Sequence, residues 1–291
     1  MCCTFSKSVM TNTQIYVGQA SKNGKLVHLL AYQNKAVSNK PNAMVLPFPT
    51  DVAMSEDNII DTSKFKNFLK DITHASQITT LSSNRNFNDA LIGSSFAKSM
   101  PAKVFDIGSY TIILAENVNQ IPEALTRVPE DKRPEVRLPF LKGYGKLYPN
   151  DPIAVCCWNG SIDAEPLMWW YEPRDPETLF IPTMDAHDEK APLVGELVKT
   201  DHIISVGSTT GNRGNKVVYF RSKIPNDIKE LLPNSVHGVK LPAVMPNGDC
   251  FVKTASLQTN DDIYKNGQSP VELYRGYGGK MDITLSMNGW K

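Results

Sequence analysis

Apolar residues along this chain gather in short runs bounded by Gly, Pro, Asn or Asp, and few of them repeat at helical spacing. That pattern predicts strands and tight reversals rather than long helices. Asn-Gly occurs five times, at 23–24, 159–160, 247–248, 266–267 and 288–289. Both residue types tolerate the positive φ that a two-residue type I′ hairpin requires. The flanks of the first three are β-favouring: QIYVGQASK and KLVHLLAYQ, IAVCCW and SIDAEPLMWWYEP, VKLPAVM and DCFVKTASL. Three hairpins are therefore predicted. Further strands are predicted at 43–48, 103–106, 110–116, 202–206, 217–221 and 281–286.

Helical periodicity is confined to four segments. Residues 61–72 place Phe65, Phe68, Leu69 and Ile72 at offsets 0, 3, 4 and 7, with Asp61 or Thr62 available as a cap. Residues 88–100 and 121–128 carry weaker patterns. Residues 225–232 read as a short helix started by Pro225 and stopped by Pro233. Helices between hairpins, without a βαβ rhythm, predict an α+β fold dominated by antiparallel hairpins and sheets. The expected organisation is a single β-rich domain over 1–291, with two lobes meeting near 129–152. Prolines and Gly143-Tyr144-Gly145 give that seam the look of an irregular crossover.

Composition narrows the function classes. Hydrophobic residues make up 41% of the 291, enough for a packed core. Lys plus Arg is 31 against 30 for Asp plus Glu, so no long-range field draws the chain to nucleic acid. The opening MCCTFSKSVMTNTQ lacks the apolar core of a secretory signal, and no run is long enough for a membrane span. A cytoplasmic protein is expected. The five cysteines (Cys2, Cys3, Cys156, Cys157 and Cys250) include two adjacent pairs and no CxxC spacing, which predicts reduced thiols.

Four places could carry chemistry. In PTMDAHDEKAPLVGELVKTDH, residues 182–202, two histidines each adjoin an aspartate: His187-Asp188 and Asp201-His202. Imidazoles beside carboxylates can hold a divalent metal, here through His187 and His202, or can serve as a general base. The plainer alternative is a pair of solvated turns. Removal of Met1 would expose Cys2 as an N-terminal nucleophile with its own α-amine as base. Against this, Cys2-Cys3-Thr4 lacks the Cys-Gly-Ile opening of glutamine amidotransferases. The early arginine and Asp-Trp of bile-salt hydrolases and penicillin acylases are missing too. Trp158, Trp169, Trp170 and Tyr171 could form a cross-strand cluster or a pocket floor. Finally, GSTTGNRGNK at 207–216 precedes a strand rather than a helix, so it reads as a hairpin loop and not a phosphate cradle.

CCTFSK, IYVGQ and NAMVLPFP at 42–49 resemble the start of a bacterial family of unknown function whose members open on a cysteine motif. That family carries an Ala-Met-Val-Val-Pro-x-Pro run, from which Leu46 and Phe48 depart. PTMDAHD with the later Asp-His is similar to a Pro-Thr-x-x-x-His-Asp … Asp-His signature in proteins likewise without assigned activity. The resemblance implies roles for Cys2 or Cys3, His187 and His202. The leading expectation is a non-catalytic interaction or structural protein, such as an assembly component or viral accessory protein, with a protein partner or self-association. The competing expectation is a hydrolase using His187, Asp188, Asp201 and His202, with a divalent metal or with Cys2 as nucleophile.

Overall fold

Asn23 and Gly24 hold φ of 53° and 77° and close a two-residue hairpin in which Lys22 pairs with Lys25. The computed structural model describes residues 3–76, 78–80, 101–208, 216–258, 273–277 and 280–286. In chain order the strands are β1 (Cys3–Thr4), β2 (Val9–Lys22), β3 (Lys25–Val37), β4 (Asn42–Pro47), β5 (Ile59–Ile60), β6 (Ile78–Thr80) and β7 (Lys103–Ile107). They continue with β8 (Tyr110–Ala115), β9 (Ile153–Trp158), β10 (Ile162–Asp163), β11 (Leu167–Tyr171), β12 (Thr178–Ile181), β13 (Leu197–Lys199) and β14 (Ile203–Ser208). The remainder are β15 (Lys216–Val217), β16 (Ser235–Lys240), β17 (Val244–Pro246), β18 (Asp249–Lys253), β19 (Leu273–Tyr277) and β20 (Lys280–Ser286). The helices are α1 (Phe68–Ala75), α2 (Ile121–Leu125), α3 (Leu138–Leu147) and α4 (Asn226–Lys229).

The chain is β-rich, with several antiparallel sheets and few short helices. A five-stranded sheet runs β1-β4-β9-β8-β7, and a nine-stranded sheet runs β15-β16-β14-β2-β3-β11-β5 with β10 on β3 and β6 on β16. A four-stranded sheet, β12-β18-β19-β20, and the ribbon β13-β17 complete it. Among the described strands two pairings are parallel, β14 with β2 and β6 with β16, and an isolated parallel bridge joins Cys3 to Ala186. Among the described residues no helix is long and apolar enough to cross a membrane.

Strand β9 explains the layering. Its IAVCCW is buried throughout, because both faces of its sheet are covered. Ala154, Cys156 and Trp158 face a core shared with Val17, Leu30 and Trp169 of the large sheet. Ile153, Val155 and Cys157 face the opposite way, onto Leu125 of α2 and Phe140, Leu141 and Tyr144 of α3. The outer face of the large sheet is covered in turn by α1, through Phe68, Leu69 and Ile72, together with Phe65 just ahead of it. Helices thus lie outside and two sheets inside. Adjacent Cys156 and Cys157 point to opposite faces, as strand geometry demands.

Several expectations are corrected. Asn159-Gly160 is not a hairpin turn: β9 pairs with β4 and β8, whereas β10 and β11 pair with β3, so these residues hand the chain from one sheet to the other. Asn247-Gly248 likewise separates β17, paired to β13, from β18, paired to β12 and β19. The segment 129–152 holds helix α3 rather than an irregular crossover; a Cβ at Gly143 would overlap Ala191 and one at Gly145 would overlap Val118. Those glycines permit close packing instead of marking turns. Helix α1 starts at Phe68, while Asp61 and Thr62 bond elsewhere, to the Ser63 amide and the Pro166 carbonyl. The expected strand 217–221 shortens to β15. The expected helix at 88–100 and the Asn-Gly pairs at 266–267 and 288–289 lie outside the described residues, as does most of 207–216.

Candidate functional site

Residues 182–188 leave β12 and run extended between the amino-terminal strand and the 247–249 turn. Thr4 N–H donates to the Ala186 carbonyl (2.8 Å), and Ser8 N–H donates to that of His187 (3.4 Å). From the other side, Asp185 N–H donates to Asn247 Oδ1 (2.8 Å) and Asn247 Nδ2 donates back to the Asp185 carbonyl (2.7 Å). The amides of Thr183 and Met184 both donate to Asp249 Oδ1 at 3.1 Å. Side chains here do the work of a missing strand partner.

Asp249 is fully buried and accepts a third hydrogen bond, 2.7 Å, from the Tyr148 hydroxyl. Burial pushes its carboxyl up to about 6 despite those donors, and burial together with the Asp249 charge drives the Tyr148 phenol well above its usual range. Arg275, also buried, donates to Thr183 Oγ1 (3.3 Å), Cys250 Sγ (3.1 Å) and the Pro246 carbonyl. Cys3 Sγ lies 3.6 Å from the Met184 carbonyl. The network is sealed: Cys3, Tyr148, Thr183, Asp249, Cys250 and Arg275 are all buried.

His187 stands at its rim. Its Nδ1 faces the Ser8 carbonyl at 3.1 Å, and its Nε2 lies 2.5 Å from Asp185 Oδ1, close enough for an ion pair but off hydrogen-bond angle. Its carboxylate neighbour is thus Asp185 and not Asp188, which is exposed and paired with Lys190 at 2.9 Å. His202 is buried at the start of β14, where its carbonyl accepts from Leu241 N–H. Ser8 anchors His187, while Ile203, the residue after His202, aligns with Gln14. Gln14 lies six positions along the chain from Ser8, on the far side of the irregularity between Thr11 and Gln14. Among the described residues no three His, Cys, Asp or Glu side chains gather as a metal site. Cys2 lies outside the described residues.

Asp201 belongs to a different place. The register of β2 on β3 jumps between Thr11 and Gln14, with Asn12 at φ 56°. This bulge bends the strand and opens a cavity of about 340 Å³. Asp201 and Asp163 line it, as do Gln33 and three lysines, Lys35, Lys70 and Lys240. Asp201 Oδ1 and Gln33 Oε1 are buried atoms without a hydrogen-bond partner among the described residues.

The tryptophans divide between layers. Trp158 packs edge-on to Tyr110 and Trp169 against Phe48, the two facing a common core from different sheets rather than across one ladder. Trp170 is partly buried, with its Nε1 donating to the Asp57 carbonyl and Lys22 Nζ 5.2 Å from the ring. Asn247, Asp249, Tyr148 and Arg275 escaped the sequence reading. Asp249 carried a signal, an acid opening the apolar run Cys250–Val252. The cavity carried none, since its lining comes from segments far apart in the chain. The chain matches no family model, no curated protein and no solved structure.

Proposed function

We propose that this protein acts by recognition, as an interaction or structural component, and not by catalysis. The carrying observation is the burial of the groups that could do chemistry: Cys3, Cys156, Cys157, Cys250, His202 and Asp249 are all sealed in the core. Burial also pushes the Cys157 thiol up to about 12 and holds His28 and His237 down near 4, so these groups are neutral packing elements at neutral pH. We assign the fold to the α+β class. Four buried, unbridged cysteines support a reducing, cytoplasmic setting. Exposed Leu193, Leu197 and Val244 on and beside the β13-β17 ribbon support contact with a protein partner or a second copy.

The second reading, a hydrolase, draws its support from the approach of His187 to Asp185, with Cys2 as nucleophile; of the other expected members, Asp188 pairs with Lys190, Asp201 lines the bulge cavity and His202 is buried at the start of β14. Purified protein is to be assayed on ester, amide and phosphoester reporter substrates, alongside Cys2→Ala and His187→Ala. Turnover above buffer that either substitution abolishes would overturn the recognition reading; no residue-dependent turnover is the expected result.

A further inference from the structure

We infer that His187 is a proton-operated latch on residues 3–8: the protonated pair of His187 and Asp185 holds them in place, and loss of that proton loosens them. This goes beyond the recognition reading and does not depend on it. Ser8 meets His187 twice, its N–H donating to the His187 carbonyl (3.4 Å) and its own carbonyl facing Nδ1 (3.1 Å). Thr4 N–H donates to the neighbouring Ala186 carbonyl at 2.8 Å. The ring therefore stands where residues 3–8 rest on the segment 182–188.

Both ring nitrogens face acceptors, and a neutral imidazole has one hydrogen for the two of them. With that hydrogen on Nδ1, the Ser8 carbonyl is served and a bare Nε2 faces Asp185 Oδ1 at 2.5 Å. With it on Nε2, the Nδ1 lone pair faces the Ser8 carbonyl instead. Either neutral form sets acceptor against acceptor, and a second proton on the pair removes the conflict. Asp185 needs that proton equally. It is 9% exposed, its Oδ1 has no hydrogen-bond donor, and His187 is its one ion-pair partner, both among the described residues. A carboxylate so placed is strongly disfavoured unless paired. No neighbour supplies the charge in its stead. On the same segment Asp188 is taken by Lys190, and Glu189 by Lys40 and Arg137. Across from it Asn247 is uncharged, and Asp249 is turned to the amides of Thr183 and Met184. The imidazole is 21% exposed, so the pair exchanges protons with solvent. Opening parts the ring from Ser8 and admits water, so the proton is held more tightly closed than open and opening increases as pH rises.

Hydrogen exchange of the full chain, followed by mass spectrometry on the peptide carrying the Thr4 and Ser8 amides, tests this. After correction for intrinsic exchange, opening should increase about tenfold between about pH 5.5 and about pH 8. His187→Gln should remove the increase. Asp185→Asn should remove it too and keep residues 3–8 closed at both ends of the range, because its amide offers the neutral ring a donor. His28, His237, Asp151 and Asp249 titrate alike in parent and variants, so the difference between them reads the pair alone. Should one variant lose the parent circular dichroism, the other decides. Opening that stays level with pH in the parent sinks the inference, and so does an increase that either folded variant keeps.

Discussion

Asn247 and Asp185 exchange two hydrogen bonds, the amide side chain of one closing on the backbone N–H and C=O of the other at 2.8 and 2.7 Å. An asparagine here imitates a strand. Asn247→Ala strips both partners from a buried peptide unit, and the expected loss is about 2–4 kcal/mol. Asn247→Asp keeps the acceptor but loses the donor. It should be intermediate or worse, since it adds a buried charge. Urea unfolding of the two variants measures both.

Tyr148→Phe removes one of three donors to buried Asp249. A loss of about 1–3 kcal/mol is expected. The loss should shrink at pH below 6, where the Asp249 carboxyl takes up a proton. Unfolding curves at pH 7.5 and 5 compare the two conditions.

His28 and His237 are held near 4 by burial. Their folded values lie below the unfolded value near 6.5, so the unfolded chain binds more protons between the two. Stability is therefore whole above about pH 6.5 and falls as pH drops toward 4. Asp151 and Asp249, both raised to about 6 by burial, oppose this, because their protonation favours the folded chain as pH falls through 6. The comparison that isolates the histidines is wild type against His28→Gln with His237→Gln. The double variant should lose less stability from pH 7 to 4.5, by a few kcal/mol at most. Parallel slopes would refute the assignment.

Gly143→Ala would add about 1 kcal/mol in an open helix. Here the new methyl meets Ala191, and a loss of about 1–3 kcal/mol is expected. Ala191→Gly should restore most of it in the double variant, which thermal melts can check.

In a Cys2→Ala background the four remaining cysteines, Cys3, Cys156, Cys157 and Cys250, are buried. A chromogenic disulfide reagent should titrate none of them rapidly in native buffer and all of them in denaturant. Prompt reaction of Cys3 in native protein would show that β1 detaches from β4 and from Ala186.

Much of the architecture was legible. The IAVCCW run and the Asn23-Gly24 turn each express a local rule and lie where that rule puts them, and the 65–68–69–72 period marks a buried face of which only Phe68, Leu69 and Ile72 fall within α1. The other described Asn-Gly pairs misled because tolerance of positive φ permits a tight reversal without requiring it: of Asn159, Gly160, Asn247 and Gly248 only Gly160 takes a positive φ. Helix α3 was hidden by glycines whose role is proximity to Ala191 and Val118. His187 was legible as a residue of interest, but its neighbour Asp185 was not singled out. The choice between Asp185 and Asp188 is made by the path of the chain beside Ser8. The cavity depends on register and bulge, which no single segment encodes.

The parallel ladder of β14 on β2 joins residues 203–208 to residues 14–19. During synthesis the opening hairpin must therefore wait for a neighbour that emerges about 190 residues later, with one flank unclaimed until then. Slow, late closure of the large sheet is the consequence. Truncations that stop before residue 203 should leave β2 open to strangers and aggregate.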